Sequence, residues 1–400
     1  MMRIIINTGK GGVGKTTLSA LTAINISKRL KTLVVSSDTA HSLSDLFEKP
    51  LSNEARLIDE NLYALEINPL VEGKKAWGKL NSYLREIIKN NAMDDVQTDE
   101  LLLMPGLDDI FCLLKILEIY KEGKYEALVV DCGPSGETIS FLSTGEKLKN
   151  LADNLLPTLK RFNNIFGGFI EKKTEVKKPK DIVFDEFIKL SNDLYELEEI
   201  LRDKKITSIR LVSKANRVIA NEAFRTYSLA NLYGFTTDLV FINMIFPDQL
   251  KNTSYANLLD EERENIKRIE DYFFDKEIIK LSLQDDEVIG IKALNILHDK
   301  VFANYKLEDV FVDYEVFEII QDKASKIVSI DIKEASEKEV SVEKIGNDLE
   351  ISYLNFKRRF KLPDSVSSRK ISSFSLKDNK LRIVMDYDWN CRKNSNIERF

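Results

Sequence analysis

Short apolar runs alternate with stretches of helical periodicity along roughly the first 300 residues. The runs are rich in β-branched residues and apolar on both faces, which is typical of parallel strands covered by helices on each side. Between them, apolar residues recur at helical spacing, for example from Trp77 to Ile88. This alternation predicts a doubly wound α/β domain with a mostly parallel sheet. The predicted strands are residues 3–7, 32–38, 127–131, 206–213, 239–246 and 277–283.

The pattern changes after about residue 310, where apolar and polar residues alternate. Val340 and Val342 have polar neighbours, a turn follows at 346–348, and residues 376–385 predict a further hairpin. We therefore expect a small antiparallel β domain at the carboxyl end. The polar tail from Trp389 is expected to be loose.

The stretch TGKGGVGKTT at residues 8–17 contains the phosphate-loop pattern G-x4-G-K-S/T. In this pattern backbone N–H groups cradle phosphates, the lysine neutralises them and the hydroxyl ligates Mg²⁺. We therefore predict that Lys15 binds the β- and γ-phosphates of a nucleotide and that Thr16 binds Mg²⁺. A second lysine, Lys10, is not explained by the pattern and would repel Lys15. The predicted nucleotide-binding residues of the loop are Gly9, Lys10, Gly11, Gly12, Val13, Gly14, Lys15, Thr16 and Thr17.

Two aspartates end predicted strands, at the edge of the sheet where ligands bind in such folds. Asp38 could orient or deprotonate the attacking water; alternatively, it caps the following turn while His41 packs against it. Asp131 is the expected indirect partner of the metal. Gly133 and Gly136 follow it and permit a mobile loop that senses the γ-phosphate.

Composition restricts the class of protein. A chain of 400 residues should divide in two, and 31% charged with 43% hydrophobic residues is typical of a soluble globular protein. The net charge of −6 argues against nucleic-acid binding, and the lysines of 172–180 are interleaved with acids. The amino terminus leaves no room for a secretion signal, and no apolar run reaches the roughly 18 residues that cross a bilayer. We expect a cytoplasmic protein without an integral membrane segment.

The three cysteines, Cys112, Cys132 and Cys391, are too scattered for a disulfide framework, and no C-x-x-C occurs. Cys112 has apolar neighbours and is expected to be a buried thiol. No iron–sulfur ligand spacing is recognisable. His298 lies in a predicted helix and is expected at the surface or at its boundary.

Five motifs along the chain occur in the order of one known family. They are KGGVGKTT with its Lys10, DTAHSLSD at 38–45, PGLDD at 105–109, DCGPSGET at 131–138 and LVFINMIFP at 239–247. With these motifs, residues 1 to about 305 resemble the arsenite-pump ATPase (ArsA) family, which includes the guided-entry ATPases that target tail-anchored membrane proteins.

The carboxyl-terminal part contains FKRRFKLPDSV and SSFSLKDNKLRIVM. With these stretches, residues from about 313 to 388 resemble the α-crystallin-type (small heat-shock-protein-like) domain appended to one branch of that family, which implies an antiparallel β-sandwich. The two resemblances imply the division 1–305 for the α/β domain, 306–312 for a linker, 313–388 for the β-sandwich and 389–400 for a loose tail.

The resemblance implies roles for four residues. In that group the counterpart of Lys10 reaches across a dimer interface to phosphates bound by the other subunit, much as an arginine finger does. Two lysines on one phosphate cluster are tolerable if they come from different chains. The resemblance also implies that Asp38 positions the hydrolytic water, that Asp131 contacts Mg²⁺ through water and that Asn243 holds the adenine.

The chain departs from the family at several points. Thr39 stands where proline is usual, and Glu137 where histidine is frequent. The C-x-x-C pair that binds zinc in eukaryotic guided-entry dimers is missing, and the cysteine triad of arsenite pumps has no recognisable counterpart. Residues 151–170 could line an apolar client surface, although an ordinary core helix with a loop explains them as well.

We therefore expect an Mg²⁺-dependent ATPase that forms a homodimer around ATP and opens and closes with hydrolysis, with a hydrophobic or tail-anchored membrane-protein client. One alternative is the arsenite-transporting subunit of an anion efflux pump. An alternative of another class is a chaperone or client-binding module with slow ATP turnover as its switch. The absence of an N-K-x-D guanine-reading motif disfavours a GTPase, and nothing identifies a phosphate acceptor for a kinase.

Overall fold

The structure is a computed structural model of the 400-residue chain. The predicted helix at 77–88, the lysine-rich segment 172–180 and most of 151–170 lie outside the described residues. The same holds for Asp38, Thr39, His41, Gly136, Glu137 and Cys391. The structure describes residues 2–37, 42–73, 75, 107–134, 139, 142–153, 157, 181–333, 335–377 and 379–387.

An eight-stranded sheet forms the α/β part, with strand order β3-β4-β2-β5-β1-β6-β7-β8. Neighbouring strands are parallel in the pairs β1–β5, β2–β4, β2–β5, β6–β7 and β7–β8, whereas β3 runs antiparallel to β4. The prediction of a mostly parallel sheet is thereby confirmed. The strands are β1 (Arg3–Gly9), β2 (Thr32–Ser36), β3 (Arg56–Asp59), β4 (Leu62–Glu66), β5 (Ala127–Pro134), β6 (Thr207–Ser213), β7 (Thr237–Ile245) and β8 (Glu277–Ser282).

Burial explains why the sequence revealed several strands and missed β3. β1, β2 and β6 are buried at every residue, as their continuous apolar runs require. The sequence prediction missed β3 and β4. In β3 only Ile58 is buried, so this edge strand carries no continuous apolar signal.

The helices whose first and last residues are described lie between these strands and near the carboxyl end. They are α1 (Lys15–Ser27), α2 (Ser42–Phe47), α3 (Leu107–Glu122), α4 (Asp181–Arg202), α5 (Arg217–Tyr233), α6 (Ala256–Tyr272), α7 (Gly290–Val301) and α8 (Asp364–Ser367), with 3₁₀ turns at Asp248–Asn252 and Glu337–Glu339. Within the described ranges, none of the helices combines the length and hydropathy that crossing a bilayer requires.

His298 corrects the sequence prediction, because it is buried rather than placed at the surface or its boundary. It lies on α7, where Leu294 and Leu297 are also buried, and α7 packs against α1. The imidazole contacts the Asn25 amide at 3.1 Å and the Lys28 ammonium at 3.0 Å. The spacing of Leu294, Leu297 and His298 on one helical face was the signal that could have shown this.

Two antiparallel sheets form the carboxyl-terminal part, as predicted. One has the order β14-β15-β10-β9 and the other β11-β12-β13. The predicted turn lies between β11 and β12, where Gly346 has a φ of 62° that favours glycine. The strands are β9 (Phe317–Asp322), β10 (Ser325–Asp331), β11 (Val340–Ile345), β12 (Asp348–Tyr353), β13 (Phe356–Lys361), β14 (Arg369–Lys377) and β15 (Lys380–Tyr387).

The chain divides into two compact units, one formed by residues up to 208 with 284–309, the other by 209–283 with the residues from 310 onward. In the second unit, α5 packs against β10 and β13. The Tyr227 hydroxyl donates to Asp331 over 2.6 Å, and Arg358 donates to the Leu232 carbonyl over 2.6 Å. The domain boundaries proposed from sequence, at 305, 313 and 388, stay predictions.

Candidate nucleotide site

The phosphate loop lies between a buried strand and a helix, as its pattern requires. β1 ends at Gly9 and α1 begins at Lys15. Gly12 and Gly14 have φ angles of 75° and 89°, a left-handed conformation that side chains disfavour. A Cβ built on Gly11 or on Gly12 meets no atom within 4 Å. The loop therefore has open space beside its backbone.

The amino terminus of α1 suits an anion. Gly14 is its N-cap, no side chain caps the helix, and its first turn contains no acid. The first N–H groups of a helix lack carbonyl partners within it, and the helix dipole adds positive potential at the same place. These features match the phosphate-binding turn of nucleotide-binding proteins.

Lys15 folds back over the loop. Its ammonium donates to the backbone carbonyl of Lys10 over 3.1 Å. An ammonium group has three donors, so this bond is compatible with simultaneous contacts to phosphate oxygens. Both lysines are half-buried.

Thr16 meets a residue that the sequence prediction did not single out. Its hydroxyl oxygen lies 3.3 Å from that of Ser42, the first residue of α2. Ser42 belongs to the DTAHSLSD motif, but only the fold shows that this serine lies against the proposed magnesium ligand.

Asp131 lies near the carboxyl end of β5, in register with Asn7 on β1 and Ser36 on β2. The side chain is 1% exposed, and its Oδ1 accepts from the Ser19 hydroxyl over 3.2 Å. The Asp131 carbonyl accepts from the N–H of Ser37 over 3.0 Å. The structure therefore places Asp131 behind the first turns of α1, as a metal partner acting through water would require. That role stays a prediction.

Both described cysteines are buried and reduced, which confirms the expectation for Cys112. Cys132 follows Asp131 on β5. Burial, followed by the negative charge of Asp131, raises the pKa of the Cys132 thiol to about 12. The thiol is therefore neutral at physiological pH, and a neutral thiol is a poor nucleophile and metal ligand.

Asn243 lies on β7 in the second compact unit and is 9% exposed. Its side-chain oxygen accepts from the N–H of Met244 over 2.9 Å, and Met244 has a φ of 59°. Nearby, the Glu262 carboxylate accepts from the N–H of Phe246 over 3.0 Å, while burial raises the pKa of Glu262. These bonds shape the end of β7; the assignment of Asn243 to adenine stays a prediction.

The arrangement in the first unit defines a class of protein. A lysine and a hydroxyl stand at the start of an uncapped helix, and a buried carboxylate lies behind them at the carboxyl edge of a parallel sheet. This is the arrangement of a phosphate-loop nucleotide-binding α/β protein.

Comparison with known families identifies the branch of this class. The sequence profile of the ArsA ATPase family, described as anion-transporting ATPases, matches residues 2–303. A profile described as the HSP20-like domain found in ArsA matches residues 323–385. The chain belongs to the ArsA ATPase family, and it is an ATP hydrolase with an HSP20-like carboxyl-terminal domain.

Relatives of two kinds support this placement. A Chlorobaculum tepidum protein with the provisional name arsenical pump-driving ATPase is 30% identical over 400 residues, covering 97% of this chain and 96% of the relative. A similarly named Aquifex aeolicus protein is 27% identical and covers 96% of this chain and 100% of the relative. The ATPase get3 of Aspergillus niger is 26% identical over 313 residues, covering 76% of this chain and 91% of the relative.

Proposed function

We propose that the protein is an Mg²⁺-dependent ATPase that dimerises around nucleotide, opens and closes with hydrolysis, and handles hydrophobic or membrane-protein clients. The observation that carries this proposal is the pair of lysines on one loop. Lys15 bonds to the carbonyl of Lys10 and stands at the helix terminus where phosphates bind. A second lysine in cis would add repulsion, whereas a lysine from a partner subunit supplies charge as the transition state develops.

Magnesium fits the oxygen donors at this edge. Mg²⁺ prefers oxygen ligands and keeps several waters. The Thr16 hydroxyl would hold it directly, and the Asp131 carboxylate would hold it through water. When bound, the ion neutralises charge on the phosphate oxygens. Lys15 would hold the β- and γ-phosphates, and Asp38 would orient the attacking water.

Client handling is the part of this function that concerns a partner protein. It is supported by the relatives named get3, one of which, from Aspergillus niger, covers 76% of this chain. A second candidate function, driving an arsenical pump, is favoured by the name of the relatives that match almost the whole chain. The buried, neutral thiol of Cys132 weighs against metalloid capture, because such ions bind thiolates.

The test measures both ATP hydrolysis and the oligomeric state of the protein. Phosphate release is measured with Mg²⁺ and with excess chelator, and the mass in solution is measured by light scattering with no nucleotide and with a non-hydrolysable ATP analogue. We expect hydrolysis only with Mg²⁺, and small-angle scattering should show a more compact dimer with the analogue. A protein that hydrolyses ATP at full rate as a monomer would contradict the dimer proposal.

Clients are tested separately by co-expression with a model membrane protein that has one carboxyl-terminal apolar helix. We expect a soluble complex that ATP hydrolysis dissociates. The control is a matched client in which charged residues interrupt the apolar helix. Equal recovery of both clients would contradict the client proposal.

A further inference from the structure

Glu66 is a buried carboxylate at the carboxyl end of β4. It has no role in the ATP hydrolysis described above. It is 3% exposed and lies in register with Ser36, the last residue of β2. Burying a carboxylate costs free energy unless hydrogen bonds satisfy its oxygens. The partners of Glu66 therefore indicate its role.

Both carboxylate oxygens of Glu66 accept hydrogen bonds from Ser44 on α2. The Ser44 N–H donates to Oε1 and the Ser44 hydroxyl to Oε2, each over 2.8 Å. The same hydroxyl accepts from the N–H of Leu51 over 3.1 Å, and the Glu66 N–H donates to the Ser52 carbonyl over 3.0 Å. The end of β4 thus holds both α2 and the chain that follows it.

The position of α2 matters because its first residue touches the phosphate loop. Ser42 lies 3.3 Å from the Thr16 hydroxyl, and Ser44 follows two residues later. α2 has only 6 residues, and a helix this short is not stable by itself. Its place depends on its buried apolar side chains and on the bonds between Ser44 and Glu66.

α2 also bounds the segment that carries Asp38. Residues 38–41 connect Ser37 to Ser42. The Ser37 N–H donates to the Asp131 carbonyl over 3.0 Å, which fixes one end of this segment. α2 begins at Ser42, directly after this segment, and Glu66 bonds to Ser44 in the first turn of that helix.

We propose that Glu66 is a positioning residue for ATP hydrolysis. Through Ser44 it fixes the first turn of α2, and so it fixes where Ser42 meets Thr16 and where the segment 38–41 ends. The inference rests on the proposed function, because Thr16 and Asp38 act there on metal and water. A displacement of about 1 Å can lower a rate about 10²-fold, so a hydrogen bond away from the phosphates can control kcat.

The test is a double-mutant cycle of Glu66→Gln and Ser44→Ala, measured as kcat and KM for ATP. Glutamine keeps an oxygen for the Ser44 N–H, but its NH₂ group cannot accept from the Ser44 hydroxyl. We expect each single variant to lower kcat about tenfold, with KM changed by less than about threefold because the phosphate loop is intact. The double variant should be no slower than the slower single variant, since both remove the same bond.

Glu198→Gln is the matched control. Glu198 is 1% exposed and also accepts a backbone N–H, that of Glu146, over 2.6 Å. This bond involves neither α2 nor the phosphate loop. We expect Glu198→Gln to lower the melting temperature at least as much as Glu66→Gln, while its kcat stays within about twofold of wild type.

Amide exchange of residues 42–47 supplies a readout that does not depend on turnover. We expect faster exchange there in Glu66→Gln and not in Glu198→Gln. The inference would be overturned if the Glu66 and Ser44 variants kept the wild-type kcat. Additive losses in the double variant would also overturn it, as would an equal loss of kcat in Glu198→Gln. A wild-type protein without Mg²⁺-dependent hydrolysis would contradict the proposed function instead. In that case, unchanged exchange of α2 in Glu66→Gln still overturns the inference and faster exchange supports it.

Discussion

Ser19 on α1 donates its hydroxyl to Oδ1 of Asp131 on β5 over 3.2 Å, and both side chains are buried. Asn7 on β1 donates in turn to the Ser19 oxygen over 3.1 Å. These two bonds tie the helix that begins at the phosphate loop to the end of the strand behind it. They hold the Asp131 carboxylate in one orientation, which is what a partner of a bound metal requires.

Substitution of Asp131 or of Ser19 should raise the Mg²⁺ concentration that ATP hydrolysis requires. Asp131→Asn keeps the shape but loses the charge, and we expect a loss of about 10- to 100-fold in Mg²⁺ affinity or in activity, with a smaller loss for Ser19→Ala. The measurement is a Mg²⁺ titration of ATPase rate. Ser27→Ala is the control, because Ser27 lies on the same helix and its hydroxyl donates to the Ile24 carbonyl of that helix. An unchanged Mg²⁺ dependence in Asp131→Asn would refute the metal role.

Lys15→Ala should abolish stable nucleotide binding. The change removes the charge and the donors expected to hold the β- and γ-phosphates. Calorimetric titration with ATP measures the affinity, and Lys28→Ala, at the other end of α1, serves as the control. Equal ATP affinity in wild type and Lys15→Ala would overturn the phosphate-loop assignment.

The strands and the loop that were predicted correctly are those that a pattern among neighbouring residues reveals. The buried runs of β1, β2 and β6 are continuous, and the phosphate-loop pattern fixes spacing within one turn. The short edge strand β3 was missed because only Ile58 in it is buried. Its antiparallel pairing with β4 depends on a turn rather than on a run of apolar residues.

The roles of Ser42 and Glu66 could not be predicted in this way. Each is defined by a partner distant in the chain, Thr16 for Ser42 and Ser44 for Glu66. Neither residue belongs to a periodic pattern in the sequence from which such a contact could be predicted. His298 shows the reverse error, because its polarity suggested the surface while its helical face placed it against α1.

Arsenite or antimonite should not stimulate ATP hydrolysis. Metalloid capture needs several thiolates, whereas burial raises the pKa of the Cys132 thiol to about 12 and Cys112 lies buried on α3. Phosphate release with increasing arsenite measures the effect. A several-fold activation that disappears in a Cys112→Ser, Cys132→Ser double variant would show that these thiols form the metalloid site.

The bond between Tyr227 and Asp331 should stabilise the second compact unit. Tyr227 is fully buried and donates over 2.6 Å, while burial raises the pKa of Asp331. Tyr227→Phe removes the donor, and we expect the free energy of unfolding to fall by about 1–3 kcal/mol. Urea unfolding measures it, with Tyr255→Phe as the control because Tyr255 is 56% exposed. Equal stability of the two variants would contradict a stabilising bond.

Lys10→Ala should bind ATP almost normally and hydrolyse it slowly. If Lys10 acts on the phosphates of the partner subunit, its loss resembles the loss of an arginine finger, which lowers kcat by about 10³-fold or more. Binding is measured by calorimetry and hydrolysis by phosphate release. This phenotype alone does not distinguish action within one chain from action across a dimer.

A mixture of two inactive variants makes that distinction. In a heterodimer of Lys10→Ala with Asp38→Asn, the site on the Lys10→Ala chain keeps its own Asp38 and receives an intact Lys10 from the partner. One of the two sites is then complete, so activity should return to about half of the wild-type rate per dimer if the sites act independently. If Lys10 acted within its own chain, each site of the heterodimer would still lack one group. A mixture that is verified to contain heterodimers and stays inactive would therefore refute the action of Lys10 across the dimer.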